Sequence, residues 1–316
     1  MNSKEIINGP VLVLVGPTAI GKTNLSLSLA EQFKCEIISV DSMQVYRFMD
    51  VGTAKATKEE RRRVPHHLID IVNPDENYDA ARFVKDARSA IIDIHGRGKI
   101  PLLTGGTGLY LKALFEGIFS GVGADPQIRK SLEERLVSEG ADVLHEELAA
   151  CDYTSAKRIH ANDKHRLLRA LEVFLSTGKP WSEHLREHKE LNKSDRFPNA
   201  LLLGLTCDRG DLYDRINIRC KEMLHNGLEE EVRSLLQQGY NRKLKVFRSI
   251  GYKHMIQYID GEFDETGMLT LLSRDTRRYA KRQYTWFSRL EKLHWMQVAQ
   301  QQLIFQQVKK WEKEIL

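Results

Sequence analysis

A glycine-rich turn directly after an apolar run is the feature that most constrains this chain. Residues 11–15 read VLVLV and predict a buried strand, and apolar residues at helical spacing predict a helix over 22–33. The pattern G-x-x-x-x-G-K-T joins the two and consists of Gly16, Pro17, Thr18, Ala19, Ile20, Gly21, Lys22 and Thr23. In this context the backbone N–H groups of the turn and the positive end of the helix dipole bind a diphosphate. We expect Lys22 to contact the outer phosphate and the Thr23 hydroxyl to ligate Mg²⁺.

The turn specifies a diphosphate but does not identify the ligand that carries it. A kinase or GTPase is the default interpretation, and hydrolases of this class hold Mg²⁺ with an acid that follows a second strand. Here the strand predicted over 100–104 ends in Thr104 instead of an acid. Asp41 follows the apolar run 36–40, and we expect it beside the first strand, at the sheet edge where open α/β folds bind ligands. A kinase is therefore disfavoured but remains open.

A second strand–glycine–helix element follows the strand over 100–104. Residues 105–108 read GGTG, so Thr107 lies among three glycines and is placed to contact a ligand at the same edge of the sheet. A helix over 78–95 precedes this strand and a further strand is predicted over 66–72, and helices between strands indicate parallel crossovers. The predicted fold class is α/β, with a P-loop NTPase-like parallel sheet flanked by helices.

The sequence changes character at Gly117. Residues 121–124 read GVGA and predict a flexible joint, and Asp125 followed by Pro126 predicts the start of a helix. No strand pattern returns before residue 200. The predicted organisation is a catalytic core over 1–116 and 200–316, an all-helical insertion domain over 117–199, and a polar return linker within that domain over 181–198.

Positive charge is concentrated in two places, although the formal net charge of the chain is only +5. One cluster of cations lies over 157–169 in the predicted insertion. The other lies on one stripe of the helix predicted over 266–289, where aromatic residues are interleaved with arginines and lysines. Such clusters suit a phosphate-rich partner, and a solvated helix face is the alternative interpretation.

The composition of the 316 residues argues against several other classes of protein. The four cysteines are far apart and have no C-x-x-C spacing, which predicts reduced thiols and neither a disulfide framework nor a zinc site. The adjacent His66 and His67 lack a third ligand at suitable spacing, so we expect them to be structural. No apolar run approaches the roughly 20 residues of a membrane helix. We expect a cytoplasmic monomer.

Seven ordered blocks of this sequence resemble the bacterial tRNA dimethylallyltransferases. The resemblance runs from the first strand to about residue 287, and it is specific because the blocks occur in order, whereas the phosphate loop alone would be weak. The blocks are residues 16–23, 41–46, 52–55, 105–110, 162–172, 251–253 and 278–287.

The resemblance implies a reaction and a set of site residues. The reaction is transfer of a dimethylallyl group from dimethylallyl diphosphate to the exocyclic N6 amine of the tRNA adenosine 3′ of the anticodon, position 37, with Mg²⁺. Asp41 is expected to act as general base, Thr107 to contact the target base, and Arg219 to stabilise the leaving pyrophosphate. The expected tRNA-binding residues are Asp41, Ser42, Met43, Gln44, Thr107, Arg129, His165, Arg166, Arg169, Arg248, Tyr252 and Lys253. An adenylate prenyltransferase that makes cytokinin remains an alternative.

Overall fold

The computed structural model describes residues 6–117, 125–191 and 195–315. The chain divides into two compact units, one formed by Met1–Phe115 with Arg196–Leu316 and the other by Glu116–Asp195. The second unit begins one residue before the predicted insertion and ends four residues before its predicted end. The joint predicted at 121–124 lies outside the described residues.

The first unit is built on a six-stranded sheet in which every paired strand is parallel, in the order β3-β2-β4-β1-β5-β6. Central β1 is completely buried because helices cover both faces of such a sheet, and this explains its unbroken apolar sequence. The strands are β1 Val11–Val15, β2 Cys35–Val40, β3 His66–His67, β4 Ile100–Gly105, β5 Ala200–Thr206 and β6 Leu293–Gln297. The predicted α/β class is confirmed.

Fourteen α-helices occur in the described ranges, and a 3₁₀ helix spans Lys245–Arg248. The helix start predicted at Asp125 is confirmed, because its carboxylate accepts backbone N–H groups of the first helical turn, and Asp208 caps α10 in the same way. The helices are α1 Lys22–Gln32, α2 Lys58–Arg63, α3 Ala80–Gly96, α4 Gly108–Glu116, α5 Pro126–Ser138, α6 Ala141–Cys151, α7 Tyr153–Arg158, α8 Lys164–Thr177, α9 Trp181–Leu191, α10 Arg209–His225, α11 Leu228–Gln237, α12 Tyr252–Ile259, α13 Glu265–Phe287 and α14 Gln301–Ile315. None of the helices in these ranges is long and apolar enough to span a membrane.

Two details of the sheet differ from the sequence prediction. The strand predicted over 66–72 contains only the two residues of β3, because Leu68 and Asp70 adopt left-handed φ angles of 62° and 57° that turn the chain out of the sheet. In addition, β4 lies between β2 and β1, so Asp41 does not follow a strand beside the first one.

The second unit is all-helical and has its own core. Helices α5 to α9 surround buried leucines, and Trp181 packs against their edge. The prediction of a polar linker over 181–198 was wrong for the first eleven residues, because they form α9. Few residues there are apolar, but glutamate, leucine, arginine and lysine are good helix formers. Asp152 also accepts the Ser182 N–H at 2.9 Å, which satisfies one of the N–H groups at the start of the helix.

Candidate active site

The phosphate loop connects β1 to α1, as the sequence predicts. Ala19 and Gly21 have left-handed φ angles of 64° and 101°, and Gly21 is the N-cap residue of α1. The Lys22 Nζ lies inside the turn, where it donates hydrogen bonds of 2.8 Å to the carbonyl oxygens of Gly16 and Pro17. These bonds hold the ammonium at the loop.

The surroundings of Lys22 make its protonation state sensitive to the binding of a charged ligand. Removal from bulk water lowers the pKa of the Lys22 ammonium to about 7, and Arg219 adds to the effect whereas Asp41 opposes it. A bound anion would favour the charged form. Lys22 is therefore suited to meet a diphosphate by taking up a proton near neutral pH.

Asp41 lies directly after β2 and shapes the turn that follows. Its Oδ1 accepts the backbone N–H of Met43 at 2.8 Å and that of Gln44 at 3.3 Å. No hydrogen bond within the described residues uses Oδ2. One carboxylate oxygen thus fixes the turn, and the other is left for a ligand.

Thr107 and Ser42 join the two turns at this edge of the sheet. The Ser42 N–H donates to Thr107 Oγ1 at 3.0 Å. The N–H groups of Gly106 and Thr107 both donate to the Val40 carbonyl at 3.1 Å, and Val40 immediately precedes Asp41. Asp41 and Thr107 are therefore brought together even though they are distant in sequence.

Two arginines of α10 complete the cationic side of the site. Arg215 Nη1 donates to the Ile20 carbonyl of the phosphate loop at 3.3 Å. Arg219 lies one helical turn further and has no hydrogen bond or ion pair to any described residue. Burial lowers the pKa of Arg219, while the Asp41 carboxylate opposes that change. An unpaired guanidinium beside a phosphate loop is a binding group for an anion.

Lys22, Asp41, Ser42, Arg215 and Arg219 line one cavity of about 940 Å³. Thr107 is not among its lining residues, although the neighbouring Gly106 is. The cavity wall also includes the buried Thr104 hydroxyl, which has no hydrogen-bond partner among the described residues. Apolar side chains lie alongside the charged ones; they include Ile37, Met43, Ile69, Ile218, Met223, Ile250 and Leu272. The cavity therefore offers contacts both to a diphosphate and to a small hydrocarbon group.

Glu231 of α11 is a site residue that sequence analysis missed. Its carboxylate accepts the backbone N–H groups of Asp50 and Val51 at 2.7 Å and of Gly52 at 3.0 Å. Glu231 follows the buried Leu228 by three residues and therefore lies on the buried face of the helix. This spacing is the only sequence signal that distinguishes it from the neighbouring glutamates. Glu231 thereby fixes the loop that follows the Asp41 turn.

The same loop orients Gln44, one of the expected tRNA-binding residues. Gln44 Nε2 donates to the carbonyls of Thr53 and Ala54 at 3.3 and 3.4 Å, and its Oε1 accepts the Ser39 hydroxyl at 3.0 Å. Beyond the loop, Lys55 is buried with its Nζ 2.6 Å from a carboxylate oxygen of Asp50. Sequence analysis gave Lys55 no role, although it belongs to one of the seven blocks.

Two expected tRNA-binding residues of α12 have protein partners. Tyr252 is completely buried and donates its hydroxyl to Glu231 at 2.6 Å, so it supports the loop, and its contact with RNA stays a prediction. Lys253 Nζ lies 2.7 Å from Asp275 of α13. Asp275 is also paired with Arg274, so the basic stripe on α13 is partly neutralised. Arg248 is exposed and lines the cavity.

The other expected RNA contacts lie in the second unit. Arg129 Nη1 and Arg169 Nη1 lie 3.8 and 3.1 Å from the carboxylate of Glu172, which is 1% exposed. His165 and Arg166 are exposed at the start of α8. Glu172 thus holds Arg129 and Arg169 in place within this unit. The contact of all four residues with RNA stays a prediction.

The fold and the cavity define an α/β enzyme with a P-loop, in which the phosphate loop faces a polar pocket at the carboxyl edge of a parallel sheet. The family model described as IPP transferase matches residues 44–290, and a model described as isopentenyl transferase matches residues 9–70. The chain belongs to the IPP transferase family.

Relatives and solved structures agree with this assignment. The chain is 56% identical to a tRNA dimethylallyltransferase of Desulfotalea psychrophila, with 99% of this chain and 98% of that protein covered. It is 48% identical to one of Thermotoga neapolitana, with 90% of each covered. The crystal structure of the tRNA isopentenylpyrophosphate transferase of Bacillus halodurans has a TM-score of 0.70 at 39% identity, covering 97% of each chain. A eukaryotic dimethylallyltransferase acting on tRNA has a TM-score of 0.78 at 31% identity, covering 92% of this chain and 74% of the other.

Proposed function

We propose that this chain transfers the dimethylallyl group of dimethylallyl diphosphate to the N6 amine of tRNA adenosine 37 and releases pyrophosphate. The observation that carries the proposal is the shared cavity. Residues of the phosphate loop, Arg219 and Asp41 all line the same space. A diphosphate ester and a nucleophile must meet in one pocket for such a transfer. Membership of the family and the names of the relatives support the same substrates.

Asp41 supplies the proton acceptor for the reaction. The adenine amine is a weak nucleophile because its lone pair is delocalised into the ring, so removal of a proton during attack assists it. A new bond forms between N6 and the allylic carbon, and the bond between that carbon and the diphosphate oxygen breaks with its electron pair on oxygen. The displaced amine proton goes to Asp41 Oδ2, while Oδ1 remains engaged with the turn.

The leaving pyrophosphate gains charge as the bond to carbon breaks. The backbone N–H groups of the phosphate loop, the Lys22 ammonium and the Arg219 guanidinium stabilise that charge. Because Lys22 and Arg215 are already hydrogen-bonded to loop carbonyls, both side chains are in place before the donor binds. Little reorganisation is then required at the moment of reaction.

The residues present fit a Mg²⁺ ion. The Thr23 hydroxyl lies in the first turn of α1 and lines the cavity, and Mg²⁺ typically takes one or two protein oxygens together with water and phosphate oxygens. No group of three or more histidine, cysteine, aspartate or glutamate side chains in the described ranges could form an all-protein metal site. When bound, the ion supplies charge stabilisation to the diphosphate.

The tRNA is the partner that explains the exposed cations. An anticodon loop is single-stranded, so swinging adenosine 37 out of its stack costs less than in a duplex. The turn carrying Ser42, Met43 and Gln44 receives the base, with Thr107 beside it. Arg129, His165, Arg166 and Arg169 in the helical unit and Arg248 in the first unit contact the phosphates of the anticodon stem and loop.

A transfer assay tests this function directly. Purified protein is incubated with radiolabelled dimethylallyl diphosphate and Mg²⁺, together with tRNA, with the same tRNA carrying guanosine at position 37, or with AMP. We expect label only in the first sample, in N6-dimethylallyladenosine after nuclease digestion. Label in AMP alone, or phosphate transfer from ATP without prenylation, would overturn the proposal.

A further inference from the structure

Gln283 of α13 joins the two halves of the cavity through one side-chain amide. Its Oε1 accepts the backbone N–H of Thr18 in the phosphate loop at 2.9 Å, and its Nε2 donates to the Gly106 carbonyl at 2.9 Å. The side chain is only 3% exposed. A buried amide that satisfies two main-chain groups from different loops constrains the distance between those loops.

The turn after β4 is shaped to admit this side chain. A Cβ added at Gly106 would lie 2.2 Å from Gln283 Nε2, and one added at Gly108 would lie 2.8 Å from the Cβ of Trp286. A larger residue at Gly106 would displace the Gln283 amide, and one at Gly108 would push against α13 at Trp286. The GGTG sequence therefore serves the close approach of α13 as well as the turn itself.

Each end of the Gln283 amide is close to a group that takes part in the proposed reaction. Gly106 precedes Thr107, whose hydroxyl accepts the Ser42 N–H beside Asp41. Thr18 follows Pro17, whose carbonyl holds the Lys22 ammonium. One end thus reaches the side that receives the adenine, and the other reaches the side that binds the diphosphate.

We propose that Gln283 is a positioning residue that sets the separation between the phosphate loop and the Thr107 turn, and thereby the distance from the allylic carbon to the adenine amine. This inference rests on the proposed function. The Gln283 amide donates at one end and accepts at the other without carrying charge, and both partners here are backbone groups of fixed polarity. A misplacement of about 1 Å between reacting groups can lower turnover by about 10²-fold.

The first test replaces Gln283 by methionine, which has a similar length but forms neither strong hydrogen bond. We expect kcat for Gln283→Met to fall by about 10- to 100-fold. The affinities for pyrophosphate and for tRNA, each measured alone, should change by less than about 3-fold, because each half of the cavity keeps its own contacts. Weakened pyrophosphate binding with unchanged kcat would contradict the inference and make Gln283 a part of the phosphate site.

The second test uses Gln283→Glu, which also guards against a methionine variant that fails to fold. The carboxylate can accept the Thr18 N–H but cannot donate to the Gly106 carbonyl, whereas the protonated acid can do both. Burial raises the pKa of a carboxyl group. The ratio of variant to wild-type kcat should therefore rise by at least about 5-fold as the pH is lowered from about 8 to about 6.

Controls separate this inference from the function on which it depends. Gln302→Glu, on the exposed side of α14, introduces the same charge and should track the wild type at every pH. A ratio that stays flat with pH for Gln283→Glu would assign Gln283 a merely structural role. Wild-type protein that fails to prenylate tRNA would overturn the proposed function, whereas active wild type with equally active Gln283→Met would overturn only the inference.

Discussion

The Tyr252 hydroxyl donates a 2.6 Å hydrogen bond to Glu231, and the same carboxylate accepts three consecutive backbone N–H groups of the loop at residues 50–52. Burial, followed by the Glu231 charge, raises the pKa of Tyr252, so the phenol remains a donor across the physiological range. The Gly52 backbone lies so close that a Cβ there would be 2.5 Å from the Tyr252 ring. Helices α11 and α12 therefore hold the loop that orients Gln44.

This arrangement predicts unequal costs for two substitutions. Tyr252→Phe removes one of four hydrogen bonds and should lower the free energy of unfolding by about 1 kcal/mol. Glu231→Gln turns an acceptor oxygen into a donor that faces other N–H groups, and should cost about 2 to 3 kcal/mol. Urea unfolding of both variants measures the difference. Equal losses would show that the loop N–H bonds contribute little.

Asp41 has two roles that two substitutions can separate. Asp41→Asn keeps the Oδ1 acceptor for Met43 and Gln44 but removes the base, so turnover should fall by about 10² to 10⁴ with unchanged tRNA affinity and melting temperature. Asp41→Ala removes both functions and should be less stable as well, by about 1 kcal/mol. Steady-state kinetics and thermal unfolding of the pair provide the measurement. If Asp41→Asn lost tRNA binding and turnover equally, Asp41 would position substrate instead.

Diphosphate binding should take up a proton at Lys22. The pKa of this ammonium is lowered to about 7 in the free protein, and an anion raises it again, so affinity should decline as the pH rises above 7. Binding should therefore take up more protons at pH 8 than at pH 6. Calorimetry of pyrophosphate binding in buffers of different ionisation enthalpy reports the uptake.

Lys22→Arg is the matched control for this proton uptake. An arginine stays charged at both pH values, so the variant retains only the uptake due to pyrophosphate itself. Subtracting the two data sets isolates Lys22. Identical uptake by both proteins at pH 8 would mean that Lys22 is already charged before the ligand binds.

The arginine pair around Glu172 predicts a salt-dependent loss of tRNA binding. Arg129→Ala should weaken tRNA binding regardless of sequence and reduce the slope of log affinity against log salt by about 1. Lys130→Ala, on the exposed side of the same helix, is the control and should leave that slope unchanged. Filter binding at several salt concentrations measures both. A slope that is identical for the wild type and Arg129→Ala would remove Arg129 from the RNA interface.

The sequence predicted the parts of the site that depend on local pattern. The phosphate loop, the helix start at Asp125 and the position of Asp41 at the end of a strand follow from residue types at fixed short spacing. Long-range partners carry no such pattern, which is why the roles of Gln283 and Glu231 emerged only from the folded chain. Tyr252 illustrates the same limit, because its place in one of the seven blocks did not reveal that it is buried.

Two predictions about the sheet were wrong, and each error has a physical cause. Residues 66–72 are apolar enough for a strand, but the left-handed backbone at Leu68 and Asp70 ends it after two residues. Nothing in side-chain hydropathy reports that conformation. Likewise, sheet order depends on which crossover helix packs on which face, so the position of β4 between β1 and β2 could not be inferred from chain order alone.

The pairing of β1 with β5 has a consequence for how the protein is made. Val13 pairs with Leu202, and the complete helical unit lies between them in the chain. During synthesis from the N-terminus, the phosphate loop therefore emerges long before β5. This strand pairs with β1, which leads into the loop. The helical unit, whose core residues all come from the segment between these two strands, can fold first. We expect the diphosphate site to form only after Arg215 and Arg219 of α10 have left the ribosome, which makes ligand capture a late event during synthesis of the chain.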